Sequence, residues 1–344
     1  MNTKKARSCN ILLDKYYKKY SKKEQPKGEF LIFDIAGDFH KISAPFDDLG
    51  LCQNNIVAAD VTIYNPTKPI VRGGKRYLIG RVEPLESEES KVMFFEESDG
   101  KWRIVPEAPV FGLQDPFHVE NVQGWHILGG VQTFPHPTLP GGLGYRTVFY
   151  RYKNTIIDLI DKNGQIVDPF AEGPKMMKDI RLIELTNGKI AVFTRPQGDG
   201  GGLGKIGYIE IGSLDELEHN IPMAKIISNQ FLDDEWGGAN ELHLLSNGKV
   251  GVLGHVAHFD GDVRHYYAMA FVFDPRNRRA THMEILTTAS EFPPVKPKKE
   301  DLGRVIFSGG LHRNSDGTAD LYVGIGDIKA GKIKIPDPFS KFEK

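Results

Sequence analysis

Three carboxylates, Asp115, Asp179 and Glu241, stand at the openings of short apolar segments that each turn and run back. Carboxyl groups gathered in one pocket can divide the roles of general acid and general base, because their surroundings push their pKa values apart. Asn65 and Ser308 open two further segments of the same kind. The steps from Asn65 through Asp115, Asp179 and Glu241 to Ser308 are 50, 64, 62 and 67 residues. One aspartate at such a place is well explained as a turn cap. Three at matching repeat positions indicate side chains that converge.

The elements that must position them are hairpins. The stretch 240–245 alternates, turns at Asn247-Gly248 and returns through Val250–Val252. An Asn-Gly pair between two apolar runs is a strong hairpin signal. The same design recurs at 179–185 with Asn187-Gly188, and at 115–120 with Gln123-Gly124. It recurs again at 65–81 around Gly73-Gly74, and at 305–324 around Asp316-Gly317. Five related hairpins at this spacing predict radial repetition of small antiparallel sheets, an all-β, five-bladed β-propeller. The inner strands of a propeller start at one end of its channel, which would make Asp115, Asp179 and Glu241 neighbours in a polar funnel.

The chain has 344 residues with a formal net charge of −1, a balance that does not suggest nucleic-acid binding. Residues 1–27 carry a net +7. A helix is expected over 8–23, with Ser8 as N-cap and Ile11, Leu12, Tyr16 and Tyr20 at helical spacing. This divides the chain into a helical extension, 1–27, and a propeller domain, 28–344. Phe30–Phe33 is expected to close the ring by pairing with the last blade, and Phe39–Phe46 to continue the first. Cys9 and Cys52 form no paired motif, so no disulfide framework or zinc site is expected. No cofactor is expected either. The glycine loop 198–205 carries Asp199 and Ile206 where a phosphate loop needs Gly and Ser or Thr, and His255 and His258 lie at a strand end. Without an apolar signal core or a membrane-length run, a cytoplasmic protein is the default. The extra helix offers a surface for a homo-oligomer. Pro293–Lys299 looks like a basic surface loop. Arg81 and Glu83 fit a solvated strand end and a substrate-facing rim about equally.

The combination of Ile63-Tyr64-Asn65-Pro66, Gly80-Arg81-Val82-Glu83-Pro84 and Leu113-Gln114-Asp115-Pro116 resembles domain-of-unknown-function family 1861. The blade pattern over roughly 29–340 is similar to glycoside hydrolase family 130, the mannoside phosphorylases and hydrolases, and to the wider five-bladed group of arabinanases and fructosidases. The resemblance implies a small carbohydrate substrate. It implies Asp115 as general acid, Asn65 and Arg81 as sugar contacts and Arg195 as a pocket arginine. Glu83, Trp236, Asn240 and His255 join the substrate-binding set, with Trp236 stacking on a sugar face.

The resemblance breaks in the fourth blade. The phosphorylases carry a Gly-Xaa-Gly-Pro-Pro-Pro run there, with a phosphate-binding lysine before it. Here the run is Gly237–Leu242, with Glu235-Trp236 in the lysine's place. Two glutamates for one lysine make a poorer anion site. The expectation is therefore an inverting glycoside hydrolase acting on a mannoside or related glycoside. Asp115 is its acid and Glu241 its base, with Asp179 as alternative base or pKa-shifting neighbour. Phosphorolysis by inorganic phosphate is the alternative, and a non-catalytic sugar-binding propeller the second.

Overall fold

The computed structural model describes residues 9–21, 23–49 and 56–343. The expected N-terminal helix is α1 (Cys9–Tyr20); Ser8 and Cys52 lie outside the described residues. Its buried face, Cys9, Leu12, Tyr16 and Tyr20, packs into a cluster with Phe193, Tyr208, Phe271 and Phe273. The Glu235 carboxylate accepts from the Cys9 N–H, so a distant side chain caps this helix.

Strand β1 (Gly28–Phe30) pairs antiparallel with the last strand of the fold, as expected of a closing strand. Residues 39–46 are not strand: α2 (Phe39–Ser43) runs between two 3-10 turns, Ala36–Asp38 and Ala44–Leu49. Ile42 and Phe46 are placed on one side and buried among Ile63, Leu78 and Phe95.

The remaining strands come in antiparallel groups. The first comprises β2 (Val61–Tyr64), β3 (Ile70–Arg72), β4 (Lys75–Pro84), β5 (Lys91–Ser98) and β6 (Lys101–Ile104). The second is β7 (Gln114–Val122), β8 (Trp125–Pro135), β9 (Leu143–Tyr152) and β10 (Ala171–Glu172). The third is β11 (Arg181–Glu184), β12 (Ile190–Thr194), β13 (Gly207–Ile211) and β14 (Lys225–Ile226), with the short α3 (Leu217–Asn220) between the last two. The fourth is β15 (Glu235–Leu244), β16 (Val250–Asp260), β17 (Val263–Asp274), β18 (Arg279–Ala280) and β19 (Glu284–Thr287). The fifth is β20 (Arg304–Arg313), β21 (Thr318–Ile325) and β22 (Lys329–Pro336).

The turns behave as their residues require. Gly73-Gly74, Asp99-Gly100 and Gln123-Gly124 each place two successive residues at positive φ, the geometry that matches strand twist in a two-residue hairpin. The groups are not isolated sheets. Short parallel pairings, His265↔Arg304 with Tyr266↔Val305 and Ile63↔Lys329, join the fourth, fifth and first into one 14-stranded sheet. The second and third remain separate four-stranded sheets, and among the described residues no sheet closes on itself. The chain is thus mostly β with few helices, and apolar clusters fill the spaces between neighbouring groups.

Candidate functional site

The first strand is interrupted in the first, second, fourth and fifth groups, and in the third Asp179 stands just before β11. Tyr64 pairs with Arg81, Asn65 and Pro66 bulge out, and the Thr67 N–H rejoins at the Ile79 carbonyl. Gln114 pairs with Val131, Asp115 and Pro116 bulge, and Phe117 rejoins at Gly129. Asn65 and Asp115 both have φ 47°, and Asp179 has φ 57°. This left-handed region is open to Asn and Asp at small cost. A bulge re-aims a side chain away from the strand's alternation, and these three are aimed into one cavity.

Register separates Glu241 from that set. In the fourth group Ala239 pairs with Gly254 and Glu241 already rejoins at Leu253, so the bulge residue is Asn240. Side chains alternate with period two, and a one-residue shift sends Glu241 to the other side. It lines a second cavity with Lys68, His118, Arg181 and His243. Lys68 lies 2.6 Å from one carboxylate oxygen, and the Leu311 N–H donates to the other at 2.6 Å. The expectation of four convergent groups is thus corrected to three, and Asn240, expected among the substrate contacts, lines the second cavity rather than the first. Its side-chain oxygen meets His255 Nδ1 at 2.9 Å and accepts from Ser308 Oγ at 3.3 Å.

The first cavity is lined by Asn65, Arg81, Asp115, Lys178, Asp179, Arg195, His255, Arg264, Tyr266 and Asp327, among others. Asn65 Nδ2 donates to Asp115 Oδ1 at 2.7 Å, and an Arg81 guanidinium nitrogen donates to the same oxygen at 3.2 Å. The Asn65 amide needs Gly324 beneath it, since a Cβ there would lie 1.7 Å from Oδ1. Arg195 donates to Asp179 Oδ2 at 2.9 Å, and His255 Nε2 stands 3.9 Å from that oxygen. Burial pushes both aspartates up. For Asp115, Arg81, Lys178 and Asn65 outweigh it and hold the carboxyl below the usual range. For Asp179, Arg195 leads the groups that pull it down to about 2. Burial also pulls His255 down to about 3, so its imidazole is neutral. Asp327 goes the other way, pushed up by burial despite Arg81.

Glu83, Trp236 and Glu235 do other work than expected. Glu83 is fully buried and does not line the cavity. It accepts from Arg81 at 2.7 and 3.0 Å, from Ser90 and from Lys298. The loop 293–299 therefore carries one lysine that is not on the surface, with its side chain 6% exposed. Trp236 is buried between Phe259 and Tyr266, and its Nε1 donates to the Tyr266 hydroxyl at 2.9 Å. Tyr266, stacked on His255, lines the cavity where Trp236 was expected. Glu235 caps α1 and does not reach the cavity.

Sequence reasoning missed Lys178, Arg264, Tyr266 and Asp327. Two carried a signal: Lys178 directly precedes Asp179, and Asp327 ends the last inner hairpin. Arg264 and Tyr266 sit on the third strand of their group, and only packing brings them to the rim.

A profile of the family described as protein of unknown function (DUF1861) matches residues 40–341. No curated protein matches the sequence. A mannose phosphorylase from Leishmania mexicana, solved with a phosphate ion, superposes with a TM-score of 0.78 at 29% identity, covering 96% of this chain and 94% of that one. A GDP-Man-dependent mannosyltransferase from the same organism gives 0.78 and 29%, covering 98% and 96%. A β-1,2-mannobiose phosphorylase from Listeria innocua gives 0.53 at 13% identity, covering 84% and 94%, a likeness of fold.

Proposed function

The chain belongs to the DUF1861 family, and we propose that it is an inverting mannoside phosphorylase whose strand groups are the five blades of one propeller. The observation that carries this is the absence of Glu241 from the cavity, which removes the first of the two bases expected for hydrolysis and leaves Asp179, tied to Arg195, as the other. What remains in the cavity lining includes Asp115, Lys178 and Arg195, with Asp179 held as an anion by Arg195. An inverting hydrolase needs a carboxylate free to take a proton from water. An inorganic phosphate needs no such base, because it arrives as the nucleophile. The electrostatic objection to phosphate also falls, since Glu235 caps a helix and Glu241 is paired with Lys68 elsewhere. The likeness to a phosphate-bound mannose phosphorylase supports the same reading.

In this mechanism phosphate attacks the anomeric carbon from the face opposite the leaving oxygen. Asp115, held ionised in the resting site, takes the proton of the incoming phosphate and passes it to the departing oxygen as the glycosidic C–O bond breaks, so the products are a sugar 1-phosphate and the shortened sugar. Asn65 and Arg81 hold the Asp115 carboxyl in place. Asp327, which keeps its proton to higher pH than an ordinary aspartate, is the second candidate for the acid. The test is product analysis with mannobioses and manno-oligosaccharides, with and without inorganic phosphate. Sugar 1-phosphate formed only with phosphate is expected. Free mannose released equally in both buffers would restore the hydrolase reading.

A further inference from the structure

The second cavity takes no part in the reaction proposed above, yet it carries polar groups of its own. The same inner segments line both cavities in turn: Asn65 then Lys68, Asp115 then His118, Asp179 then Arg181. Two or three residues of extended chain separate the members of each pair, roughly 7–10 Å. The second cavity holds about 250 Å³, below the roughly 300–1,000 Å³ of pockets for drug-sized ligands. Leu244 in its lining is exposed, so the cavity opens to solvent.

Its charged groups are not equally engaged. Glu241 is met on both oxygens, by Lys68 at 2.6 Å and by the Leu311 N–H at 2.6 Å. Arg313 is held by Asp337 at 2.8 Å and by Glu343, and Glu120 is paired with Arg72 at 2.6 Å. Arg181 is the exception. It is 2% exposed, yet among the described residues no carboxylate oxygen lies within 4 Å of its guanidinium. Its Nε donates to the Asn240 carbonyl at 2.7 Å and Nη1 to the Ile180 carbonyl at 3.0 Å, while Nη2 donates to no described protein group. The guanidinium lies over the Phe117 ring, 4.1 Å from its centroid, so its orientation is set before any ligand arrives. Asn240, whose carbonyl Arg181 holds, has its own Nδ2 buried without a partner. Buried charges are ordinarily paired and buried donors bonded. Here a charge and a donor on adjoining residues of one cavity both stand unclaimed.

We infer that the second cavity binds a small carboxylate with a short apolar body, its carboxyl group taken by Arg181. A planar guanidinium with one unclaimed nitrogen suits a planar, singly charged group. A phosphate dianion calls for a second cation, and Lys68 and Arg313 are already engaged. Ile70, Val119, Leu182 and Leu242 supply apolar wall for the hydrocarbon part. This site goes beyond the phosphorolysis reading and does not depend on it.

The experiment uses butyrate as probe on the full chain, followed by saturation-transfer NMR and calorimetry. Butanol is the uncharged control, and inorganic phosphate the competing class of anion. Wild type is compared with Arg181→Met and Arg181→Lys, adding Arg181→Gln if the methionine variant fails to fold. Wild type is expected to bind butyrate and not butanol. Affinity should fall about 10–100-fold in Arg181→Met, the loss of one charge-assisted contact, and recover in part in Arg181→Lys. Butyrate that fails to bind wild type, binds it no better than butanol, or binds wild type and Arg181→Met alike overturns the site. Phosphate binding that depends on Arg181 overturns the choice of a carboxylate. Product analysis with and without phosphate decides the phosphorolysis reading separately, so the two can fail independently.

Discussion

Lys298 connects an outlying loop to the proposed acid, and Lys298→Met tests that link. Its ammonium donates to Glu83 and to the Ser87 carbonyl, while its backbone N–H donates to the Gly326 carbonyl, one residue before Asp327. Glu83 is fully buried and balanced by Lys298 on one oxygen and by Arg81 and Ser90 on the other. Removing one partner of a buried ion pair costs about 3–5 kcal/mol, because the other charge stays buried. Arg81 and Ser90 remain, so the lower end, about 3 kcal/mol, is expected in urea unfolding. The kinetic effect follows from sharing. With Lys298 gone, Glu83 draws more of Arg81, and Asp115 loses part of the guanidinium that holds its proton affinity down. A charge-assisted hydrogen bond corresponds to about one pKa unit. The alkaline limb of kcat/KM, where the acid loses its proton, should therefore move upward by as much as about one pH unit. Adding Glu83→Gln removes the uncompensated charge and should recover about 1–3 kcal/mol of the loss. A change below about 1 kcal/mol with an unmoved pH profile would refute the reasoning.

Asp115→Asn should lower kcat by about 10²–10⁴-fold with circular dichroism unchanged. Asp327→Asn, measured beside it, assigns the acid to whichever variant loses more. Glu241→Gln should keep turnover within about threefold of wild type while lowering unfolding stability by roughly 1 kcal/mol, since the partly exposed Lys68 contact weakens. Abolished turnover in a folded Glu241→Gln protein would return Glu241 to the chemistry. Burial pulls His118 and His255 down to about 3, whereas a free chain's imidazoles titrate near pH 6.5. Below about 6.5 the unfolded chain takes up protons that the fold refuses. Stability should then fall toward pH 4.5 by up to about 1.4 kcal/mol per pH unit for each histidine. A flat urea-unfolding profile between pH 7 and 4.5 would show these imidazoles to be protonated in the fold.

Much of the fold was legible in the chain because local chemistry encodes it. Asn-Gly, Gly-Gly and Asp-Gly pairs fix turns, alternation fixes strand faces, and five such units at similar spacing announce repetition. The pairing of the segment around Phe30 with the last strand was readable, although the strand is Gly28–Phe30 rather than Phe30–Phe33, and so was the amphipathic helix from Cys9. The segment 39–46 was not, because its apolar residues serve a short helical turn that packs on the first group rather than a strand within it. At the site, sequence delivered Asn65, Asp115, Asp179 and Arg195, whose backbone and side chains are set by the strand that carries them. It could not place Glu241 outside the cavity, because that depends on the one-residue bulge at Asn240, and both residues line the second cavity instead. Nor could it place Lys178 without a counter-ion, Glu83 out of reach behind Arg81, or Glu235 at the start of a helix 226 residues away. Those depend on which charges meet when distant strands pack, and the tertiary structure alone brings them together.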